Sequence, residues 1–243
     1  MKPAKIKQHD SFLGVYWVFQ NDGNRRLATL NLATGSTVHG EKLFKVENTE
    51  YRIWDPYRSK LAAAIRRGLK TVAVKPSNKV LYLGASTGTT VSHISDIVGP
   101  LGMVYCVEFA ERVIRELVSN VASHRPNIIP LLADARHPET YRALAEKVDL
   151  IYCDVAQPEQ AKILADNADF FLKKGGMGLL IIKARSIDVT ERPSAIFKQE
   201  TQVLTRRKLM RIEALELEPY DRDHSLVITE YNLSSEERTL SYA

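Results

Sequence analysis

From Lys79 onward, apolar runs of strand length alternate with segments whose apolar residues recur at helical spacing, and this alternation limits the fold more than any other feature. KVLYL, MVYCVEF, NIIPLLA, VDLIYCDV and MGLLIIKA read as strands. TTVSHISDIV, ERVIRELVSNVASH, PETYRALAEK and PEQAKILADNADFFLKK read as the intervening helices, the last capped by Gly175-Gly176. A further helix covers PSAIFKQETQVLTRR, and MRIEALEL and HSLVITEY then follow one another across a polar turn. Such alternation requires a mostly parallel sheet with helices on both faces. The last two strands have no helix between them and are expected to be antiparallel neighbours. The expected class is therefore α/β: a Rossmann-like sheet of seven strands, mostly parallel, with an antiparallel terminal hairpin.

The front of the chain reads differently. Residues 1–56 are expected to form a small antiparallel β domain ahead of the α/β domain of residues 57–243. FLGVYWVF and RLATLNL flank NDGN, a hairpin signal because Asp22-Gly23 tolerates positive φ. STVHGEKLFKV and EYRIW are two further strand candidates, and RSKLAAAIRRGL is a helix with Gly68 as its stop. This front is too short for a large core of its own and is expected to pack on the α/β domain. It is also basic: residues 1–78 carry 14 Lys and Arg against six Asp and Glu, whereas residues 79–243 carry 20 against 23. One end of the molecule facing a polyanion and a merely solvated basic face both fit that asymmetry.

The two cysteines, Cys106 and Cys153, lie inside apolar runs, which excludes a disulfide scaffold and favours buried thiols over a reactive one. No zinc-ligand spacing occurs, so no metal is expected, and no apolar stretch reaches the roughly 20 residues of a membrane span. MKPAKIKQHD lacks the apolar run of a signal peptide, and a cytoplasmic protein is expected.

In open α/β sheets ligands bind at the carboxyl ends of the strands. After the first strand come Gly84, Ala85 and, at a helix start, Thr89 and Thr90, a small-residue turn without the G-x-G-x-x-G spacing of dinucleotide sites. Glu108 follows the second strand, 24 residues on, where a carboxylate accepts ribose hydroxyls in nicotinamide and S-adenosylmethionine sites alike. Asp134 follows the third strand, placed to accept from an adenine amino group, which favours adenosylmethionine. Asp154 and Gln157 follow the fourth, facing the expected methionine end, and Lys183 tips the apolar fifth strand. Lys183 also reads as a strand-end lysine reaching for water.

These residues carry a resemblance. KVLYLGASTGTTVSHISDIVGPLGMVYCVEFAERVIREL, LLADAR, YCDVAQPEQA, GLLIIKARSID and the entry segment EYRIWDPYRSKLAAAI together resemble the archaeal type of the fibrillarin family over nearly the whole chain. No Gly/Arg-rich tail of the eukaryotic members is present, consistent with that type. The resemblance implies a Rossmann-like methyltransferase domain and an RNA-guided ribose 2′-O-methyltransferase acting on rRNA and tRNA with S-adenosylmethionine. It implies a box C/D ribonucleoprotein in which a Nop-type scaffold protein docks the enzyme and a kink-turn-binding ribosomal-type protein nucleates assembly on the guide RNA. Family cofactor positions fall on Thr89-Thr90, Glu108-Phe109, Asp134-Ala135 and Asp154-Val155-Ala156-Gln157, and a Lys-Asp-Lys-His set on Lys60, Asp154, Lys183 and His224.

A sulfonium methyl is already activated, so the chemistry lies in handling a ribose hydroxyl whose proton must leave or whose developing charge must be stabilised. Lys183 is either a base or an electrostatic guide, and Asp154 beside it favours the charged ammonium. His224 alternatively reads as a strand-start histidine capped by Asp221 or Asp223. A methyltransferase of another substrate, a non-catalytic RNA-binding subunit and, more distantly, a nicotinamide-dependent oxidoreductase stay open as alternatives.

Overall fold

The computed structural model describes residues 5–19 and 23–232. Five short strands come first: β1 (Lys5–Gln8), β2 (Val15–Phe19), β3 (Arg25–Leu30), β4 (Leu43–Val46) and β5 (Thr49–Trp54), in one antiparallel sheet of order β1-β2-β3-β5-β4. The β2–β3 hairpin forms with Phe19 opposite Arg25; the Asp22 half of its turn lies outside the described residues, as do the first four residues of MKPAKIKQHD. The polar segment Lys5–Gln8, which carries no strand pattern, pairs as an edge strand, and STVHGEKLFKV contributes only Leu43–Val46.

Helix α1 (Lys60–Arg66) leads to β6 (Lys79–Leu83), α2 (Thr89–Val98), β7 (Met103–Glu108), α3 (Glu111–Asn120), β8 (Ile128–Leu132), β9 (Val148–Cys153), α4 (Gln160–Phe171), β10 (Leu172–Lys183), α5 (Ala184–Ile187), α6 (Pro193–Arg206), β11 (Leu209–Glu216) and β12 (His224–Tyr231). The seven-stranded sheet has the order β11-β12-β10-β9-β6-β7-β8, parallel from β10 to β8 and antiparallel at β12 and β11. This is the expected α/β sheet with its terminal hairpin, and β12 inserts between β10 and β11.

Two local expectations fail. PETYRALAEK forms one 3-10 turn, Pro138–Tyr141, rather than a helix. Pro138 and Tyr141 are buried, but Leu144 is exposed, so a second helical turn has no apolar face to dock. The helix before Gly175-Gly176 ends at Phe171, and Leu172 already pairs with Val148 as the bulged start of β10.

The inner face of the front sheet supplies Val15, Trp17, Leu27 and Trp54, and the segment before β2 supplies Phe12, to a core shared with Leu61, Ile94, Ile97 and Val98 of α1 and α2. The opposite face of the large sheet is covered by α4 and α6. Within the first layer lies a buried ionic network. Arg52 replaces an apolar residue on the inward face of β5; its guanidinium donates to Asp96 Oδ2 from Nε at 3.0 Å and from a terminal nitrogen at 2.8 Å, to Ser92 Oγ at 3.0 Å, and pairs with Glu41. Arg125 pairs with the other oxygen of Asp96 and donates to Asn31 Oδ1 at 3.1 Å. Two arginines and two carboxylates balance, with every partner hydrogen-bonded, as buried charge requires.

The Thr29 hydroxyl donates to Asp96 at 2.7 Å and stands 2.8 Å from His93 Nδ1. A hydroxyl carries one proton, so the Nδ1–H of His93 donates to Thr29. Burial, reinforced by Arg52 and Arg125, pushes the pKa of His93 well below its ordinary value.

Removing the charge of Asp96 leaves Arg52 and Arg125 without their carboxylate. Asp96→Asn is therefore expected to cost about 3–5 kcal/mol, read as a fall in the denaturant midpoint. The second expectation concerns pH. Unfolded His93 takes up a proton below its ordinary pKa of 6.5, whereas folded His93 stays neutral there. The unfolded chain then binds more protons, so stability drops as pH falls below that value, by up to about 1.4 kcal/mol per pH unit from this group. Denaturation midpoints at pH 7.5 and 5.5 check it; equal midpoints would refute it.

Candidate active site

The strand order reverses beside β6, with β7 and β8 to one side and β9 and β10 to the other, and ligand crevices form at such switch points. The loops leaving β6 and β9 meet there. Gly84 has φ +78°, and a Cβ on it would stand 2.9 Å from the carbonyl oxygen of Asp154. Its N–H and that of Ala85 both donate to Val107 O, at 3.0 and 3.1 Å. A cavity of about 430 Å3 opens at these strand ends, lined by Gly84, Glu108, Phe109, Ala135, Asp154 through Gln157, and Lys183.

Glu108 is buried, and each of its carboxylate oxygens accepts one backbone N–H at 3.0 Å, from Ser86 and from Ala110. Each oxygen keeps accepting capacity toward the cavity. Phe109 is 64% exposed beside it. Ala133 and Ala135 line the cavity, whereas the Asp134 carboxylate between them is gripped by Arg136 at 2.6–3.1 Å. That pairing holds Asp134 below the usual carboxylate range. Thr89 and Thr90 line a neighbouring recess instead, and the Thr90 hydroxyl donates to Ser59 Oγ at 3.1 Å.

The recess, about 210 Å3, is also lined by Tyr57, Lys60, Asp154 and Asp221, and shares Gly84, Ser86 and Asp154 with the larger cavity. At the junction Asp154 sits between two ammonium groups. Lys60 Nζ stands 3.1 Å from Oδ2 and Lys183 Nζ 2.8 Å from Oδ1. Lys183 also donates to the Asp154 backbone oxygen at 2.8 Å. His224 starts β12 opposite Lys183, and its Nδ1 lies 2.9 Å from Asp221 Oδ1 and 2.6 Å from Arg222 O. Asp221 reaches back to within 4.0 Å of Lys60, so the set of four named from the sequence forms one chain with Asp221 as its missing link. Burial opposes ionisation of Asp221, but the hydrogen bond and charge of His224, with Lys60 and Lys183 nearby, hold its carboxyl below the usual range. Asp223, the other capping candidate, pairs with Arg185.

Gln160 was not singled out from the sequence. β9 ends at Cys153, and its ladder with β10 stops at Leu180. Beyond it the buried Gln160 amide accepts from the Lys183 N–H at 2.8 Å and donates to the Lys183 carbonyl at 3.4 Å. The side chain thereby extends the ladder and sets the backbone that carries Lys183. Cys106 and Cys153 are buried and unpaired; burial raises both thiols, Cys153 to about 12, which leaves no thiolate for chemistry. Among the described residues no cluster of three or more His, Cys, Asp or Glu side chains is arranged to hold a metal.

Gly84→Ala combines a positive φ with a Cβ contact against backbone at 2.9 Å. It is expected to cost upward of about 1–2 kcal/mol from the left-handed conformation alone and to push the β6 and β9 loops apart. A lowered Tm checks it; an unchanged one would show that the loops do not need this close approach.

The sequence profile of the fibrillarin family matches residues 6–233. The chain is 54% identical over 228 residues to the "Fibrillarin-like rRNA/tRNA 2'-O-methyltransferase" of Staphylothermus marinus, which covers 94% of this chain and 97% of that one. It superimposes with a TM-score of 0.88 on Aeropyrum pernix fibrillarin in complex with natively bound S-adenosyl-L-methionine, at 50% identity, covering 94% of this chain and all of that one. A third likeness is to the fibrillarin of a fibrillarin/Nop5p complex, with a TM-score of 0.80 and 40% identity over 93% of this chain and all of that one. With the sheet, the front domain and nearly the full length held in common, the chain belongs to the fibrillarin family.

Proposed function

We propose that this protein is an S-adenosylmethionine-dependent ribose 2′-O-methyltransferase of rRNA and tRNA, working in the cytoplasm within a box C/D guide ribonucleoprotein. The observation that carries the reading is the Lys60–Asp154–Lys183 chain at the junction between the 430 Å3 cavity and the adjoining recess. The residues present fit the cofactor. Glu108 offers two accepting oxygens for a pair of ribose hydroxyls, Phe109 with Ala133 and Ala135 offers apolar surface for a flat base, and Asp154 through Gln157 offers polar groups for the methionine end. Gly84, Ala85, Thr89 and Thr90 form the tight turn and helix start beside it, and Asp134, paired with Arg136, shapes the adenine end.

When bound, S-adenosylmethionine supplies a methyl group already activated on sulfur. The chain's residues act on the other reactant. Lys60 and Lys183 place positive charge where a 2′ oxygen develops negative charge as its proton leaves, and Asp154 keeps both lysines aimed. His224 and Asp221 hold Lys60 from the far side. With Lys183 hydrogen-bonded to the backbone oxygen of Asp154 and ion-paired with its carboxylate, electrostatic guidance fits its surroundings better than proton abstraction.

Relatives named rRNA/tRNA 2'-O-methyltransferases support the substrate, and the fibrillarin/Nop5p complex supports a Nop-type scaffold. The kink-turn-binding ribosomal-type protein and the guide RNA complete the reading. Among the described residues no helix is long and apolar enough to cross a membrane.

Methyl transfer from labelled cofactor tests this. Efficient site-specific methylation is expected when the chain is mixed with guide RNA and partner proteins, and little from the chain alone, because the complex turns a diffuse encounter into a positioned one. Robust site-specific transfer by the chain alone would replace the guided reading with a stand-alone one. In the complete mixture Lys183→Ala is expected to lower the single-turnover rate by about 10²–10³ while the complex still assembles. A near-normal rate would remove Lys183 from the chemistry.

A further inference from the structure

The loop leaving β9, residues 154–160, holds one residue, Lys183, from both of its ends. At its start Asp154 takes the ammonium: the Asp154 backbone oxygen accepts from Nζ at 2.8 Å, and Oδ1 stands 2.8 Å away. At its finish the Gln160 side chain takes the backbone of the same lysine, accepting from its N–H at 2.8 Å and donating to its carbonyl at 3.4 Å. A primary amide carries an acceptor beside a donor, as a peptide group does, so it replaces the strand that β9 no longer supplies beyond Leu180. Between the two ends lie Val155, Ala156 and Gln157, which line the 430 Å3 cavity.

Both ends are anchored in turn. The Asp154 N–H donates to Leu83 O on β6 at 2.9 Å. Gln160 opens α4 and has no exposed surface; the next N–H, that of Ala161, donates to the Glu200 carboxylate of α6 at 2.8 Å. On the opposite side of β10, Lys183 lies in register with His224, and the Ala184 N–H donates to Asp223 O at 3.1 Å. Satisfying a strand end requires only some donor and acceptor, and by itself would make Gln160 a structural residue. The identity of the residue it satisfies gives it more. A lysine carries its charge on a long flexible stem, so the ammonium is placed only as well as both ends of the residue are held. Gln160 and Asp154 close a ring through Lys183, and the cofactor-facing residues are part of that ring.

We infer that Gln160 is a positioning residue for methyl transfer: it ties the Lys183 backbone to the end of the loop whose start ties the Lys183 ammonium, and so keeps that charge in register with Val155, Ala156 and Gln157. This role rests on the RNA-methylating reading and adds to it a residue that touches neither reactant and acts through Lys183.

The test is a double-mutant cycle in the complete guided complex, read as single-turnover rates with cofactor and RNA saturating. Gln160→Met fills the same space without the amide. It is expected to slow transfer about 10- to 100-fold, the scale of a small misplacement of a reacting group, while the Kd for S-adenosylmethionine, measured by calorimetry on the chain, stays within about twofold. In a Lys183→Ala background the same substitution is expected to slow transfer by less than about twofold, because the charge it aims is gone. A residue that only supports the fold slows both backgrounds alike. Equal losses in the two backgrounds, an unchanged rate in folded Gln160→Met, or a Kd that weakens in step with the rate would each overturn the inference. Gln160→Asn keeps the amide but shortens its reach; it enters the same cycle if Gln160→Met does not fold, and if neither folds Gln160 is structural and the positioning role is lost. One readout needs no substitution: hydrogen exchange at the Lys183 amide of the wild-type chain is expected to be at least about 100-fold slower than in a free peptide, and free-peptide exchange there overturns the inference. Absence of methylation by the wild-type complex overturns the functional reading instead, and the exchange rate still decides whether Gln160 holds that backbone.

Discussion

Asp96 is the point on which the two sheets depend. It lies on α2, yet its carboxylate is taken by Arg52 from the front sheet, Arg125 from the loop before β8, Thr29 from β3 and the N–H of Leu32. A charge this buried is stable only with every partner in place, so the network fixes one docking pose where apolar contact alone permits sliding. That pose has a chemical consequence. The segment after β5 carries Tyr57, Ser59 and Lys60 to the strand ends, and Ser59 meets Thr90 at the start of the same α2 that Asp96 anchors. The 3.1 Å approach of Lys60 to Asp154 is thus set at one end of α2 by hydrogen bonding and at the other by buried charge.

The candidate site obeys a division by origin. Groups facing the larger cavity come from the ends of consecutive parallel strands and the loops that follow them, whose positions follow from the sheet itself. The charged groups that meet Asp154 from the recess come from outside that repeat: Lys60 from the junction helix and Asp221, paired with His224, from the terminal hairpin. Asp154 belongs to both and is neutralised from both sides.

This division also explains what was legible in the residues. Strand ends can be counted, so Gly84, Glu108, Asp154 and Lys183 are brought to one edge by the alternation of apolar runs. Asp134 illustrates the limit: its place after β8 is legible, but Arg136 two residues on captures its carboxylate, a local contest that strand counting does not see. Gln160 carries no signal, because an amide opening a helix has many ordinary explanations. Arg52 had a weak one, a charged residue on the inward phase of the alternating strand EYRIW. Lys5–Gln8 is polar because an edge strand needs no buried face, and PETYRALAEK has helix-forming residues but lacks a second buried apolar contact. Lys60 and His224 were placed by resemblance, and Asp221, at first only a possible cap for His224, is the residue that joins them.

The insertion of β12 between β10 and β11 reaches into biosynthesis. During translation β10, the strand bearing Lys183, emerges with its outer edge unpaired, and β11 cannot cover it because its ladder partner is β12. Open edges invite pairing with other chains. Until β12 has left the ribosome, the groups at the ends of β6 to β10 therefore stand beside an unfinished sheet. The strand that closes the edge is also the one that delivers His224, so closing the sheet and completing the charged set depend on the same segment.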